Sequence, residues 1–277
     1  MNRPVIALQP GYILHHSEFR ESSLIIDAFI LNHGCVSMVA RGARKSRPSI
    51  RELYQPFRPL LLSWVGDEGL RTLTGIEESG PALPLVAAEL ACAYYLNELL
   101  LRLLPKDQSY EHVFAHYALA LSELVDSPLS YEVVLRSFEV QLLNALGVMP
   151  DLSHATVDGT KVRADRDYLY HAANATAVSE EPIEAMHLLK DKDNPAARNS
   201  LAIHPDGVTE DPGIPVSGNT LIALSELNFD NPATLTEARA LMRRIIQLQL
   251  GDKPLKSREL FTTLTTLQGL SESNLDK

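Results

Sequence analysis

The chain has 277 residues, of which 45% are hydrophobic and 22% charged, a composition typical of a globular protein that buries one large or two modest cores. No apolar run reaches the roughly 18 residues that span a bilayer, and the start MNRPVIALQPGY lacks a signal-type apolar stretch, so a cytoplasmic location is expected. The formal net charge is −10, yet residues 1–80 carry nine Lys and Arg against eight Asp and Glu, whereas the remainder carries sixteen against twenty-seven.

The first 80 residues predict five short strands. GYILHH, SSLIIDAFIL and CVSMVAR come first, and the last of these alternates apolar and polar residues as a half-buried strand does. PLLLSWV and LRTLTGI flank Gly66-Asp67-Glu68-Gly69 and predict a hairpin. Five strands in so short a segment favour a small closed barrel. We expect an OB-fold first, and an SH3-like barrel remains open.

A basic run, VARGARKSRPSIR at residues 39–51, follows the third predicted strand. It holds five cations and no carboxylate: Arg41, Arg44, Lys45, Arg47 and Arg51. A loop that presents guanidinium and ammonium groups is suited to phosphate contact, although a solvated basic loop has the same pattern. Tyr54, Phe57 and Trp64 come next and could stack bases, but burial in the core is the favoured interpretation.

Beyond Gly80-Pro81 the apolar spacing becomes helical. A helix is predicted over 84–104, a second after the N-cap Ser109, and a third from about Tyr131 to Gly147. Residues 150–216 are polar and predict a small insertion with one strand, VRADRDYLYH. A capping box at 234–237 then opens a last helix. The predicted domains are residues 1–80 and 81–277, with 268–277 as a disordered tail.

The last helix begins a second basic cluster. Its members are Arg239, Arg243, Arg244, Lys253, Lys256 and Arg258. Arg239 and Arg243 are four residues apart and share a helix face. They could contact DNA, or form a solvated face paired with Glu237 or Glu259.

Catalytic and metal-binding signatures are missing from the sequence. There is no Gly-rich phosphate loop, nucleophile elbow or HExxH motif, so an enzyme is not expected; a hydrolase or nuclease would have to show metal-dependent turnover. Cys35 and Cys92 are too few for a disulfide framework or a four-cysteine metal site, and both are expected to be buried. Joint metal binding by His154 and His171 is disfavoured because the spacing of a structural zinc site is missing.

Four segments, in order, resemble the RecO family of bacterial recombinational DNA repair mediators. They are ESSLIIDAFILNHGCVSMVARGARKSRPSIRELYQPFRPLLLSW, ALPLVAAELACAYYLNELLLRLLP, LRSFEVQLLNALG and GDKPLKSRELF. The resemblance implies an N-terminal OB-fold and a helical domain with a small zinc-finger-like insertion. It also implies binding to single- and double-stranded DNA, annealing of complementary strands, association with RecR, and help in loading RecA at the nucleoid, without nucleotide hydrolysis.

The resemblance further implies binding of the acidic, Phe-terminated tail of single-stranded DNA-binding protein (SSB). In the family the segment that matches LRSFEVQLLNALG lines the tail pocket, which makes Arg136 the candidate partner of the tail carboxylate. The candidate walls of the pocket are Leu142 and Leu143 of this segment, with Phe114 and Tyr117 from the preceding helix. Those walls could equally be core, and Arg136 could simply pair with Glu139. A protein-interaction scaffold with incidental DNA binding is the alternative function.

One departure from the family concerns zinc. Many members hold the metal with two CxxC pairs in the insertion, whereas residues 150–216 of this chain contain no cysteine. We therefore expect no structural zinc and no other cofactor.

Overall fold

A computed structural model describes residues 4–126, 129–149, 151–155, 159–171, 177–180, 213–251 and 253–257. The chain divides into two compact units. One comprises Met1–Tyr131 and Lys253–Lys277, and the other Glu132–Asp252. The predicted disordered tail at 268–277 lies outside the described residues.

The first unit begins with a closed five-stranded barrel. Its strands are β1 (Val5–Phe19), β2 (Ser23–Ile30), β3 (Gly34–Ala40), β4 (Leu60–Val65) and β5 (Arg71–Glu78). They pair in the order β1-β2-β3-β5-β4, with β4 closing on β1; β3 and β5 run parallel, and the other neighbours are antiparallel. The predicted OB-like barrel is thereby confirmed.

The barrel is filled by inward-facing side chains from every strand. In β3 the alternation seen in the sequence buries Val36, Met38 and Ala40 to 1% exposure or less. Tyr54 and Trp64 join the same core, and Phe57 is buried as well. These three aromatic residues therefore belong to the core and do not form a base-stacking platform.

The first unit also contains a one-turn helix, α1 (Pro48–Glu52). Two longer helices pack against the barrel, α2 (Ala87–Leu103) and α3 (Glu111–Asp126). The Asn97 side chain of α2 donates to the Leu14 carbonyl at 2.8 Å and accepts from the Tyr117 hydroxyl at 2.6 Å. Tyr117 and Phe114 of α3 form ring contacts with the barrel residues Tyr12 and Phe29. Hydrogen bonds and aromatic packing thus fix both helices on one side of β1 and β2.

The connection between α2 and α3 also binds the barrel. Gly34 lies so close to it that a Cβ atom would be 1.8 Å from the Gln108 carbonyl oxygen. The Ser109 hydroxyl donates to the Leu31 carbonyl at 3.4 Å. Ser109 is therefore not the N-cap that the sequence predicts, because α3 starts at Glu111 and its first turn closes on Tyr110.

The second unit combines helices with a small sheet. It contains all but the first residue of α4 (Tyr131–Ala145), then β6 (Asp167–His171), β7 (Ala177–Glu180) and β8 (Ile214–Ser217), and finally α5 (Gly218–Glu226) and α6 (Pro232–Leu250). The sheet order is β7-β6-β8. As predicted, α4 starts at Tyr131, and Gly147 follows it with a positive φ of 69°.

The predicted capping box at 234–237 is wrong. The helix α6 starts two residues earlier, at Pro232, and the Asn231 side chain accepts from the Ala233 amide at 2.9 Å. Glu237 instead accepts hydrogen bonds from Ser217 and Thr220, and so ties the start of α5 to α6.

Candidate nucleic-acid interface

The basic run forms a short irregular segment directly after β3. Gly42 has a φ of 68°, which turns the chain out of the barrel, and a single 3-10 turn follows at Ala43–Lys45. A one-turn helix, α1, spans Pro48–Glu52 with Pro48 in its first turn. Ala43 is buried and anchors the segment, so the charged residues around it face outward.

Four of the five cations in the run are exposed. They are Arg41, Lys45, Arg47 and Arg51. Within the described part of the chain, none of these four has a carboxylate within 4.0 Å. Such charges can contact a phosphate without first breaking an ion pair.

The fifth cation, Arg44, has local partners. Its guanidinium lies 3.0 Å from the Glu18 carboxylate and donates to the backbone carbonyls of Arg20 and Glu21 at 3.2 and 3.4 Å. Its own amide donates to the Ser22 carbonyl at 3.0 Å. Arg44 therefore fastens the basic run to the turn between β1 and β2.

That turn brings in a cation that the sequence reasoning missed. Arg20 is exposed at the turn with a φ of 54°, and its guanidinium carbon lies 5.0 Å from the centre of the Phe19 ring. Glu18 and Glu21 flank this pair in the sequence, so it does not form part of any basic run. Only the contacts of Arg44 reveal that Arg20 adjoins residues 43–45.

The second basic cluster is divided between the two units. In α6, Arg239 forms an ion pair with Glu132, Arg243 is exposed, and Arg244 is half-buried. Lys253 and Lys256 are exposed in the first unit. Arg258 lies outside the described residues, and so does Glu259. The suggested pairing of this cluster with Glu237 is wrong, because that carboxylate binds Ser217 and Thr220.

The proposed partner of the SSB-tail carboxylate, Arg136, is buried in α4. Its side chain is 7% exposed and pairs with Glu139, which is fully buried. Leu142 and Leu143 are each 1% exposed in the core of the second unit. In the first unit Tyr117 is fully buried, which raises its pKa well above 10.0, and Phe114 is half-buried. The tail-binding role of these five residues stays a prediction.

A groove of about 470 Å³ lies between β1, α2 and the segment 253–257 of the first unit. Leu14, Tyr94 and Leu101 contribute apolar wall, while His16 and Lys256 line it with polar groups. Burial, followed by the neighbouring His15, lowers the pKa of His16. The sequence gives no sign of this groove, because its walls come from distant parts of the chain.

The cysteine donors that many family members use for zinc are missing from the sequence of this chain's insertion. Residues 150–216 lack a thiolate, and in the ranges that the structure describes no three His, Cys, Asp or Glu side chains are grouped to hold a metal ion. Cys35 and Cys92 are both buried, as predicted, and burial raises the pKa of Cys35 to about 12.

No described helix is long and apolar enough to cross a membrane.

Two family models match the chain. The model described as Recombination protein O N terminal covers residues 5–81, and Recombination protein O C terminal covers residues 87–205. The barrel therefore coincides with the N-terminal match.

Curated relatives match along almost the whole chain. A protein of Nitrosococcus oceani is 37% identical over 96% of this chain and 97% of its own length. One from Dechloromonas aromatica is 36% identical over 96% and 99%, and one from Methylococcus capsulatus is 36% identical over 92% and 93%. Each is named DNA repair protein RecO. Because both family models match and these relatives align with more than nine-tenths of its length, the chain belongs to the RecO family.

Proposed function

We propose that this chain is a DNA repair and recombination mediator that binds single- and double-stranded DNA and anneals complementary strands. The observation that carries the proposal is a set of four exposed cations beside an OB-like barrel, none of them in an ion pair with a described residue: Arg41, Lys45, Arg47 and Arg51. The names of the relatives, DNA repair protein RecO, point to the same process.

Annealing requires two polyanions to approach each other, so their charge has to be screened while their bases pair. Cations on a protein surface replace condensed counterions, and the release of those counterions drives binding. The chain as a whole carries a net charge of −10, which makes a local cationic surface necessary for this step. We assign the basic run to one strand and the second basic cluster to the other strand or to duplex.

The test is the salt dependence of DNA affinity. Replacement of Lys45, Arg47 and Arg51 by Ala should weaken binding to all sequences and reduce the slope of log affinity against log salt by about 2 on single strands. Arg44→Ala should change the slope less, because its charge already pairs with Glu18.

The control removes three other exposed cations from the second unit, Lys161, Arg163 and Arg166, of which Arg163 pairs with Asp165. This control should retain the wild-type slope. Wild-type affinity and slope in the Lys45, Arg47 and Arg51 variant would refute the assignment of the run. No DNA binding by the wild-type chain at low salt would favour the interaction scaffold instead.

A second part of the proposal is binding of the acidic C-terminal tail of SSB. Arg136 is the candidate partner of the terminal carboxylate, with Phe114, Tyr117, Leu142 and Leu143 as candidate walls. Glu139 competes for the same guanidinium, so tail binding would require Arg136 to exchange one carboxylate for another. Arg136→Ala should lower tail-peptide affinity while annealing of naked strands survives. Unchanged peptide affinity in a folded variant would exclude Arg136.

The remaining partners follow from the mediator role. We propose that the chain acts with RecR at the nucleoid to promote RecA loading on SSB-coated DNA, and that it catalyses no bond cleavage. Annealing of SSB-coated complementary strands, measured with and without RecR, tests this combination. Metal-dependent cleavage of DNA by the pure protein would contradict it and indicate a nuclease.

A further inference from the structure

The three aromatic residues that follow the basic run are unavailable for base stacking. Tyr54, Phe57 and Trp64 are 6%, 5% and 2% exposed, and they belong to the buried interior of the first unit. If the interface stacks bases, the ring has to come from another part of the chain.

Phe19 is a half-buried aromatic residue at the edge of the basic run. It is the last residue of β1 and pairs with Ser23 at the end of the hairpin, so its ring lies at the tip rather than inside the barrel. Arg44 connects that tip to the run through two carbonyls of the turn and the Glu18 carboxylate. A half-buried ring and the exposed cations therefore lie at the same end of the barrel.

Arg20 already shows what the Phe19 ring can bind. Its guanidinium, a flat delocalised cation, lies over the ring at 5.0 Å, as in a cation–π contact. Flat nucleobases use the same kind of aromatic face. A base that takes that face displaces the Arg20 guanidinium from the ring, which leaves this cation available for a phosphate.

We propose that Phe19 is the base-stacking side chain of the interface and that it makes the surface prefer single-stranded DNA. The inference rests on the proposed DNA-binding function and adds the substrate form that this surface selects. Bases in a duplex are stacked on each other, whereas a single strand can turn a base onto a protein ring. The cations act on both forms, and Phe19 acts on the single strand alone.

The experiment compares Phe19→Leu with the matched control Tyr94→Leu. Tyr94 is an exposed aromatic residue of α2, 37% accessible, whose ring contacts Phe57. The probes are a dT oligonucleotide and a duplex of the same length, each titrated across a salt series. Phe19→Leu should bind dT about tenfold more weakly, with wild-type duplex affinity and an unchanged salt slope because no charge is lost. Tyr94→Leu should match the wild type.

A second variant reports on stacking directly. The chain has one tryptophan, Trp64, which is only 2% exposed, so Phe19→Trp adds an accessible fluorophore to a buried background. Its emission should be quenched by dT and not by the duplex, with dT affinity at or above the wild-type value. This readout also decides the matter if Phe19→Leu is poorly folded.

The outcomes separate the inference from the function on which it rests. Wild-type dT affinity in Phe19→Leu, an equal loss on duplex, or no quenching in Phe19→Trp would overturn the role of Phe19 while leaving DNA binding by the run in place. Failure of the wild-type chain to bind either DNA would overturn both.

Discussion

At the scale of single residues, the ion pair between Arg136 and Glu139 is the contact whose disruption should lower the stability of the fold most. Both side chains are buried one turn apart in α4, and the Arg136 Nε has no hydrogen-bond partner among the described residues. Removal of two charges from water costs several kcal/mol, which their mutual attraction offsets only while both partners are present. The pair is therefore tolerated rather than strongly stabilising.

Glu139→Ala should lower the free energy of unfolding by about 3–5 kcal/mol, because it leaves the Arg136 cation buried without a counter-charge. Replacement of both residues by Met removes both charges at similar volume and should recover most of that loss. Urea denaturation measures the difference.

Arg239→Ala is the control for this prediction, since it breaks a pair with Glu132 whose side chains are 55% and 39% exposed. It should change stability by at most about 1 kcal/mol. Equal effects of Glu139→Ala and Arg239→Ala would contradict the role assigned to burial. The same stability measurement shows whether Arg136→Ala is folded well enough for the SSB-tail test.

At the scale of elements, α2 holds the segment 253–257 through two side chains, Glu98 and Arg102. Glu98 accepts from the Lys256 amide at 3.0 Å, from the Ser257 amide at 2.8 Å and from the Ser257 hydroxyl at 2.7 Å. Arg102, one turn on, donates to the carbonyls of Lys253 and Pro254. Burial raises the pKa of Glu98, but the hydrogen bonds from Ser257 and Lys256 and the charge of Arg102 outweigh it, so the pKa is lowered overall.

Glu98→Gln should loosen this segment, because a single carbonyl oxygen replaces two carboxylate oxygens that serve three donors. Amide exchange at Lys256 and Ser257 should accelerate by roughly one to two orders of magnitude, the value of a hydrogen bond to a charged group. Glu111→Gln on the exposed start of α3 is the control and should leave both rates unchanged.

The lowered pKa of Glu98 also predicts a pH dependence. A carboxylate whose pKa is depressed in the folded state stabilises the contact above its ordinary pKa of 4.5. That contribution is lost as the pH falls through the lower folded value. Exchange at Ser257, corrected for intrinsic rates, should therefore be constant from pH 7 to about pH 5 and accelerate below pH 4.5 in the wild type only. The same acceleration in Glu98→Gln would refute this assignment.

The sequence predicted the elements better than their contacts. Apolar alternation located β3, and helical spacing with Gly147 placed α4, because both signals are local. The predicted N-cap at Ser109 and the predicted capping box at Thr234–Glu237 were both wrong, because tertiary partners compete with a local capping pattern. Ser109 donates to the Leu31 carbonyl, and Glu237 accepts from Ser217 and Thr220. Arg20, the 253–257 contacts and the groove were unpredictable for the same reason, since distant segments form them.

At the scale of the whole molecule, charge is segregated along the chain. Residues 1–80 have a net charge of +1, and the remainder has −11. Because phosphate binding depends on local potential, the acidic remainder does not prevent binding at the basic run. It does limit where a second DNA strand can be held, and Arg243 and Arg244 of α6 are cations without an ion pair in the described part of the second unit.

Annealing should therefore depend on both the basic run and the second basic cluster, whereas binding of one strand should not depend on the second basic cluster. The double variant Arg243→Ala, Arg244→Ala should leave dT affinity near the wild-type value. It should slow annealing by roughly fivefold, because an exposed charge contact contributes about 1 kcal/mol. Loss of Lys45, Arg47 and Arg51 should reduce both. The double variant Lys161→Ala, Arg166→Ala removes the same charge elsewhere in the second unit and is the control. If the Arg243 and Arg244 variant anneals at the wild-type rate, the second strand is held elsewhere; if its dT affinity falls as far as its annealing rate, both clusters contact the same strand.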